Sequence, residues 1–286
     1  GIGVRKKHQI VIGTNRVLWR DYSFFQNLNH RQHIINLLRE SSDLVALAHP
    51  GWDNGYPAKS IGMLSNYDLL ESLDGNYRSI PQWDSALSAG RPVWLLADDD
   101  AHDITDPGEI GVCVTFINAK RNEKSQLVDA LKAGRSYGAD VFREKTETWE
   151  EKIRYHTMQM PRVDAVEVQD DTLRVRVSDT AMKILFIGQH GAARKEVRNA
   201  SGAWYALQPS DTYVRIQIIF YNPKKEAGTK FYLNPVIRYN GDRPVNVLTA
   251  SVNTERTWIF RVLSFGSLVL LTYVLIRLHN VRRPTK

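Results

Sequence analysis

Asp43-Leu-Val-Ala-Leu-Ala-His49-Pro50 and Pro92-Val-Trp-Leu-Leu-Ala-Asp98-Asp99-Asp100-Ala101-His102-Asp103 decide how this chain reads. In each, an apolar run of strand length delivers ionisable residues at its carboxyl end, and in the first a proline then stops the ladder. In βα barrels and open α/β sheets these ends are where sites are built, because the loops there share one mouth. Asp98, Asp99, Asp100 and Asp103 crowd one such end. Their mutual repulsion is ordinarily relieved by a divalent cation. Asp100 and His102 stand two apart, so on an extended segment both can turn to one ion, and with His49 they form a candidate metal site. Taken singly, His49 reads better as a satisfied histidine at a strand end than as a ligand.

Working outward, residues 1–157 alternate short apolar runs with amphipathic stretches, the pattern of βα units around a parallel sheet. The expected strands are 8–13, 43–48, 67–73, 92–97 and 111–117. Asn29 can cap a helix running to Leu38, and two further helices, 80–89 and 123–133, should stop at Gly90 and Gly134. From 158 to 252 the apolar period changes to two, in Val163-Asp-Ala-Val-Glu-Val168, 173–177, 183–187, 213–220 and 230–233. Breaks at 169–172 and 199–202 separate the runs, which predicts a small antiparallel, Ig-like β-sandwich of structural or adhesive role. Arg174, Arg176 and Arg215 read as its outward alternates, and His190 stands alone.

Val262 to Ile276 carries no charge. With its flanks, Trp258 to Leu278, it is long enough to cross a bilayer if Arg261 and Arg277 snorkel. A buried C-terminal helix is the alternative. The segment 253–280 is therefore expected to span a membrane, with 281–286 a basic cytoplasmic tail and both globular parts extracytoplasmic or periplasmic. Hydrophobic residues at 43% and charged ones at 24% describe a packed globular chain and exclude disordered or collagen-like classes. The single cysteine, Cys113, excludes an internal disulfide and a cysteine-built zinc site, so any metal must use His, Asp and Glu. The net charge is +7, but Arg277, Arg282, Arg283 and Lys286 place four positives in the last ten residues. Nucleic acid is not expected as a stable partner. A start at Gly1 is what a processed chain or a piece of a longer one would show.

Ala48-His49-Pro50, Tyr67-Asp-Leu-Leu-Glu71, Asp100-Ala101-His102 and Ala130-Leu-Lys-Ala-Gly-Arg-Ser-Tyr137, in this order, resemble the later half of the polymerase and histidinol phosphatase (PHP) family. The likeness covers residues 1 to about 140 and implies a distorted (β/α)7 barrel, incomplete here at its N-terminus, that holds zinc, manganese or iron and hydrolyses phosphate esters. His49, Asp100 and His102 match the family's later metal positions, and His8 a histidine that begins a comparable strand. The family's opening His-X-His pair is missing, and Gly1-Ile-Gly3 has glycine where the family's Gly-X-Glu turn has its acid.

On this reading a metal-bound hydroxide attacks phosphorus, and His102, with Asp100 beside it, serves the leaving group. Arg78 and Arg135 are candidate contacts to a phosphorylated small molecule. Asp98, Asp99 and Asp103 could orient the histidines or be solvated turn residues. Glu71 could face the metal mouth or pair with a base. His30 and His33 read as surface residues. The competing expectation is a non-catalytic binding or scaffolding ectodomain on a degenerate barrel.

Overall fold

In a computed structural model of the chain, the described residues are 7–20, 22, 26–142, 147–241 and 253–281. Gly1-Ile-Gly3, most of the stretch expected to close the second domain (242–252), and the basic residues Arg282, Arg283 and Lys286 lie outside them. The chain forms two compact units, residues 1–248 and 249–286.

The first unit opens with β1 (Gln9–Ile12), β2 (Leu44–Leu47), β3 (Leu69–Leu73) and β4 (Trp94–Ala97), side by side in that order. β2, β3 and β4 are parallel, whereas β1 runs antiparallel to β2. Every residue of β2 and β3 is buried; β2 is unbroken apolar, as a strand covered on both faces should be, whereas β3 buries Glu71 and Ser72 among its leucines. Helices α1 (Leu28–Arg39), α2 (Ala58–Ile61) and α3 (Ile80–Ser88) connect them. The cap of α1 is Asn27, whose side chain accepts from the His30 N–H at 2.9 Å, and not Asn29. α3 and α4 (Lys124–Lys132) end just before Gly90 and Gly134, both left-handed, as expected.

The parallel run stops at β4. Its outer edge is satisfied by side chains instead of a fifth parallel strand: the Leu95 N–H donates to Asn234 Oδ1 at 2.8 Å, and Thr115 Oγ1 accepts from the Ala97 N–H at 2.8 Å while donating to the Ala97 carbonyl at 2.7 Å. β5 (Cys113–Ile117) and β6 (Ser136–Asp140) cross beside it, which Gly138 permits, since a Cβ there would stand 2.2 Å from Leu95 Cδ2. The described residues therefore form a mixed α/β unit with an open four-stranded sheet, not a closed (β/α)7 barrel. The stretch Ala130–Tyr137 spans the end of α4 at Lys132 and the start of β6 at Ser136.

β5 and β6 join β7 (Val163–Gln169), β8 (Thr172–Ile187), β9 (Ala193–Ala206), β10 (Tyr213–Tyr221) and β11 (Ala227–Ile237) in one antiparallel sheet, ordered β5-β6-β11-β10-β8-β7 with β9 on β8. The boundary expected at 157/158 does not part the strands, since Ala139 of β6 lies opposite Phe231 of β11. Between these strands in sequence, α5 (Trp149–Arg154) carries a capping box of Thr148 and Glu151. Among the described residues two separate sandwich sheets are not formed. β8 is a single strand with a register shift between Arg176 and Ala181, and Leu173, Val175, Ile184 and Phe186 from its two halves share one core with Ile216, Ile218 and Phe231.

α3 is locked to this sheet by charge. Asp84 takes Arg215 Nε at 2.7 Å and Nη2 at 2.8 Å, and accepts from the Tyr213 hydroxyl at 3.1 Å. Arg215 is 2% exposed and lies over the Trp83 ring, so it is not an outward alternate.

The second unit is α6 (Thr254–Val281). Within Thr254–His279 an 18-residue window has mean hydropathy 2.1 and is unburied, and the helix is long and apolar enough to cross a membrane.

Candidate functional site

Each strand of the parallel run contributes to one mouth. The Ala48 N–H, just past β2, donates to the His8 carbonyl at 3.2 Å, which brings the start of β1 beside the end of β2. His8 Nδ1 and His49 Nε2 consequently lie 3.1 Å apart, with the rings edge to face at 4.9 Å. His49 is buried, with φ 25°, and its backbone N–H is held by the Glu71 carboxyl of β3. Its Nδ1 is buried and has no hydrogen-bond partner.

Past β3, the buried Asp74 folds the chain into a tight turn by accepting from the Asn76 and Tyr77 N–H groups, each at 2.7 Å. The turn touches the next strand end through the Gly75 N–H, which donates to the Asp99 carbonyl at 3.1 Å. A Cβ on Gly75 would stand 2.2 Å from that oxygen, so only glycine allows the approach.

Past β4 the acids divide by task. Asp98 Oδ1 accepts from the Asp100 N–H at 3.1 Å. Asp99 accepts from the Gly111, Val112 and Cys113 N–H groups at 2.7, 2.7 and 2.8 Å and so ties down the start of β5. Asp103 accepts from both the N–H and the hydroxyl of Thr105. Glu109 holds the His102 and Asp103 N–H groups at 2.7 and 2.9 Å. Asp100, with φ 45°, and His102 are left exposed.

The result is a cleft of about 520 Å³. His8, His49, Asp100 and His102, all four proposed from the sequence as metal ligands, line it together with Trp52, Asp74, Asn76 and Tyr77. The two expected phosphate contacts do not. Arg78 is committed to Asp140, with Nε on Oδ2 at 3.0 Å and Nη2 on Oδ1 at 2.6 Å, and its Nη1 donates to the Asp74 and Tyr77 carbonyls. Arg135 is exposed beside Gly134, which lies against Trp94 at the amino end of β4, whereas the cleft opens at the carboxyl ends.

Glu71 and Asp98 lie behind the cleft and face each other. Burial, then hydrogen bonding to Asp98, pushes the Glu71 carboxyl up to about 10, and burial raises Asp98 as well. Two acids this close in a buried setting cannot both ionise, so the pair retains a proton at neutral pH. Glu71 was ambiguous in the sequence, and the structure makes it part of this acid pair.

The donors are of the right type for a divalent ion: two imidazoles in contact, a third at the rim, and carboxylates. A tetrahedral zinc with bonds of about 2.0–2.1 Å would place two ligand nitrogens about 3.3 Å apart, close to the 3.1 Å between His8 and His49. Donor type and that spacing are the extent of the fit; His49 Nδ1, the nitrogen turned away from His8, is left buried without a partner. Among the described residues no group of three or more His, Cys, Asp or Glu side chains is arranged around one ion.

Trp52, Asp74, Asn76 and Tyr77 were not singled out from the sequence. Asp74-Gly75 is an ordinary turn signal, and nothing local marks the aromatics as facing the histidines. His30 stacks on Tyr22 at 4.0 Å, apart from the cleft's lining.

No family model matches the chain, and no curated protein matches it. Among solved structures it is similar to a two-domain protein from Bacteroides vulgatus containing a predicted PHP-like metal-dependent phosphoesterase, at 13% identity and a TM-score of 0.33, over 73% of this chain and 66% of that one. Likeness of that size assigns neither a residue nor a reaction.

Proposed function

We propose that the cleft is a metal-dependent phosphoesterase site carried by a membrane-anchored protein. The observation that carries this reading is the meeting of His8 and His49 at 3.1 Å in one cleft with Asp100 and His102, at the carboxyl ends of adjacent strands. Those four residues would hold zinc, manganese or iron. Such an ion supplies Lewis acidity towards phosphate oxygens and lowers the pKa of water. The chain's own groups orient and protonate. Glu71 fixes the backbone of His49 and Asp98 that of Asp100, and exposed His102 would serve either as a ligand or as the proton donor to a departing alkoxide, not as both at once. α6 would anchor the protein with its C-terminus in the cytoplasm and the cleft outside, following the basic residues after it.

Metal analysis of the purified chain, with hydrolysis of phosphate mono- and diesters, tests the proposal. Bound transition metal and turnover, both lost in His49→Ala, are expected. A chain that takes up none of the three metals would sink it. One observation favours a second reading, a non-catalytic binding module: the missing three-ligand group among the described residues. That reading expects at most one bound ion and no turnover.

A further inference from the structure

The loop that carries Asp100 and His102 is held twice, and the second hold reaches it from another part of the chain. At its base, Asp99 accepts from the Gly111, Val112 and Cys113 N–H groups at 2.7, 2.7 and 2.8 Å. From outside, α5 and the wide turn after it, Tyr155–Gln159, bring two basic side chains onto Ile110 and Gly111. Lys152 is 4% exposed, and its Nζ donates to the Ile110 carbonyl at 2.5 Å while lying 3.3 Å from Glu147 Oε2. The His156 ring abuts Gly111, whose φ is 68° and where a Cβ would stand 2.9 Å from Nε2, so only glycine admits the ring.

The turn itself is fixed. The Met160 N–H donates to the Tyr155 carbonyl at 2.8 Å across five residues, a widened helical geometry found frequently at functional positions. Tyr155 bonds through its hydroxyl to Thr229 of β11, which pins the turn to the sheet. The loop is tied into a body of its own, because Glu109 holds the His102 and Asp103 N–H groups and Asp103 holds Thr105. What grips Ile110 and Gly111 therefore sets where Asp100 and His102 stand.

Three charged groups face His156: Lys152 of α5, Glu147 just ahead of α5, and Asp99 at the loop's base. Burial and then the Lys152 ammonium hold the imidazole below its ordinary value, against the opposite pull of the Gly111 backbone, Glu147 and Asp99. The gripped arrangement thus favours the neutral ring. A ring released to solvent returns to the ordinary value of about 6.5, so proton uptake favours release.

We infer that α5 and the turn after it clamp the loop presenting Asp100 and His102, and that proton uptake by His156 releases the clamp, so the loop is held at neutral pH and loosened in acid. Its bearing on turnover rests on the phosphoesterase reading of the cleft, whereas the clamp rests on α5 and the loop alone.

The test uses the full chain in detergent micelles without metal, with a fluorophore on Ile104→Cys, a loop position 78% exposed; the native Cys113, 1% exposed, stays unlabelled. Fluorescence anisotropy should fall as pH is lowered from 7.5 to 5.5. His156→Gln, which cannot take up the proton, should abolish that fall, and His102→Gln should retain it. Lys152→Gln should lower the anisotropy already at pH 7.5 and shrink the response to acid, a readout that stands if His156→Gln fails to fold. A fall that persists in His156→Gln, one lost in His102→Gln, or no fall in the parent overturns the clamp. Manganese binding by a chain whose loop ignores pH overturns the clamp and leaves the phosphoesterase reading standing. Release in acid by a chain that binds no metal supports the clamp and overturns that reading.

Discussion

Two buried acid sites in this protein are built from similar residues and solved in opposite ways. Between α3 and β10, Asp84 meets a guanidinium in two-point contact and a tyrosine hydroxyl, so its charge is matched inside the fold. At the ends of β3 and β4, Glu71 and Asp98 meet each other, with Asp74 adding to the repulsion on both. The compensated acid joins helix to sheet and opens on no cavity of the site. The uncompensated pair lies directly behind the cleft, touching the backbones of His49 and Asp100. Acidic residues thus join elements where the fold answers their charge, and where they face only each other they hold a proton between them behind the cleft.

The largest expected effect breaks the matched site. Asp84→Ala leaves Arg215 charged and buried without its partner, which should cost about 3–5 kcal/mol in chemical denaturation of the chain. Removing both charges in Asp84→Leu with Arg215→Met should recover most of it. A loss below about 1 kcal/mol in the single variant would mean that the pair is not the joint described.

The unmatched site should show itself through pH. Glu71 has a raised pKa in the folded chain, so it binds its proton more tightly folded than unfolded. Its contribution is fully present below the unfolded carboxyl value and is lost as pH rises through the folded value of about 10. Metal-free protein should therefore lose stability between about pH 4.5 and 10, by up to about 1.4 kcal/mol per unit. Glu71→Gln, which mimics the protonated form, should flatten that slope. An unchanged slope in the variant would place the proton elsewhere.

The smallest effect belongs to Arg135, exposed at the far end of β4. Arg135→Ala should leave stability within about 0.5 kcal/mol and phosphate-ester binding unchanged. A clear loss of binding would restore it to the site.

The strand ends were legible because burial on both faces favours apolar runs, and polar residues at their carboxyl ends then stand out; His49, Asp100 and His102, which line the cleft, were singled out this way. β2, β3 and β4 and helices α3 and α4 followed from the same periodicity. What escaped was decided by pairing between distant segments. β9 carries Arg194, Lys195, Glu196, Arg198, Asn199 and Gly202, a polar sequence with a turn-like middle that becomes strand because β8 pairs along its length. β5, expected beside β4, pairs instead with β6, and Asn234, far along the chain, takes part of the edge of β4. Arg78 misled because its partner, Asp140, is as remote.

The central proposal is that the facing histidines, with Asp100 and His102, hold a divalent cation in the cleft, and cation-linked stability tests it most directly. Thermal unfolding of the chelated full chain, repeated with increasing manganese or zinc, should rise with metal concentration, steepen above neutral pH, and lose its metal dependence in His49→Ala, with a weaker response in the exposed-site variant His102→Ala. An unfolding temperature that ignores both metals at every pH would contradict the account.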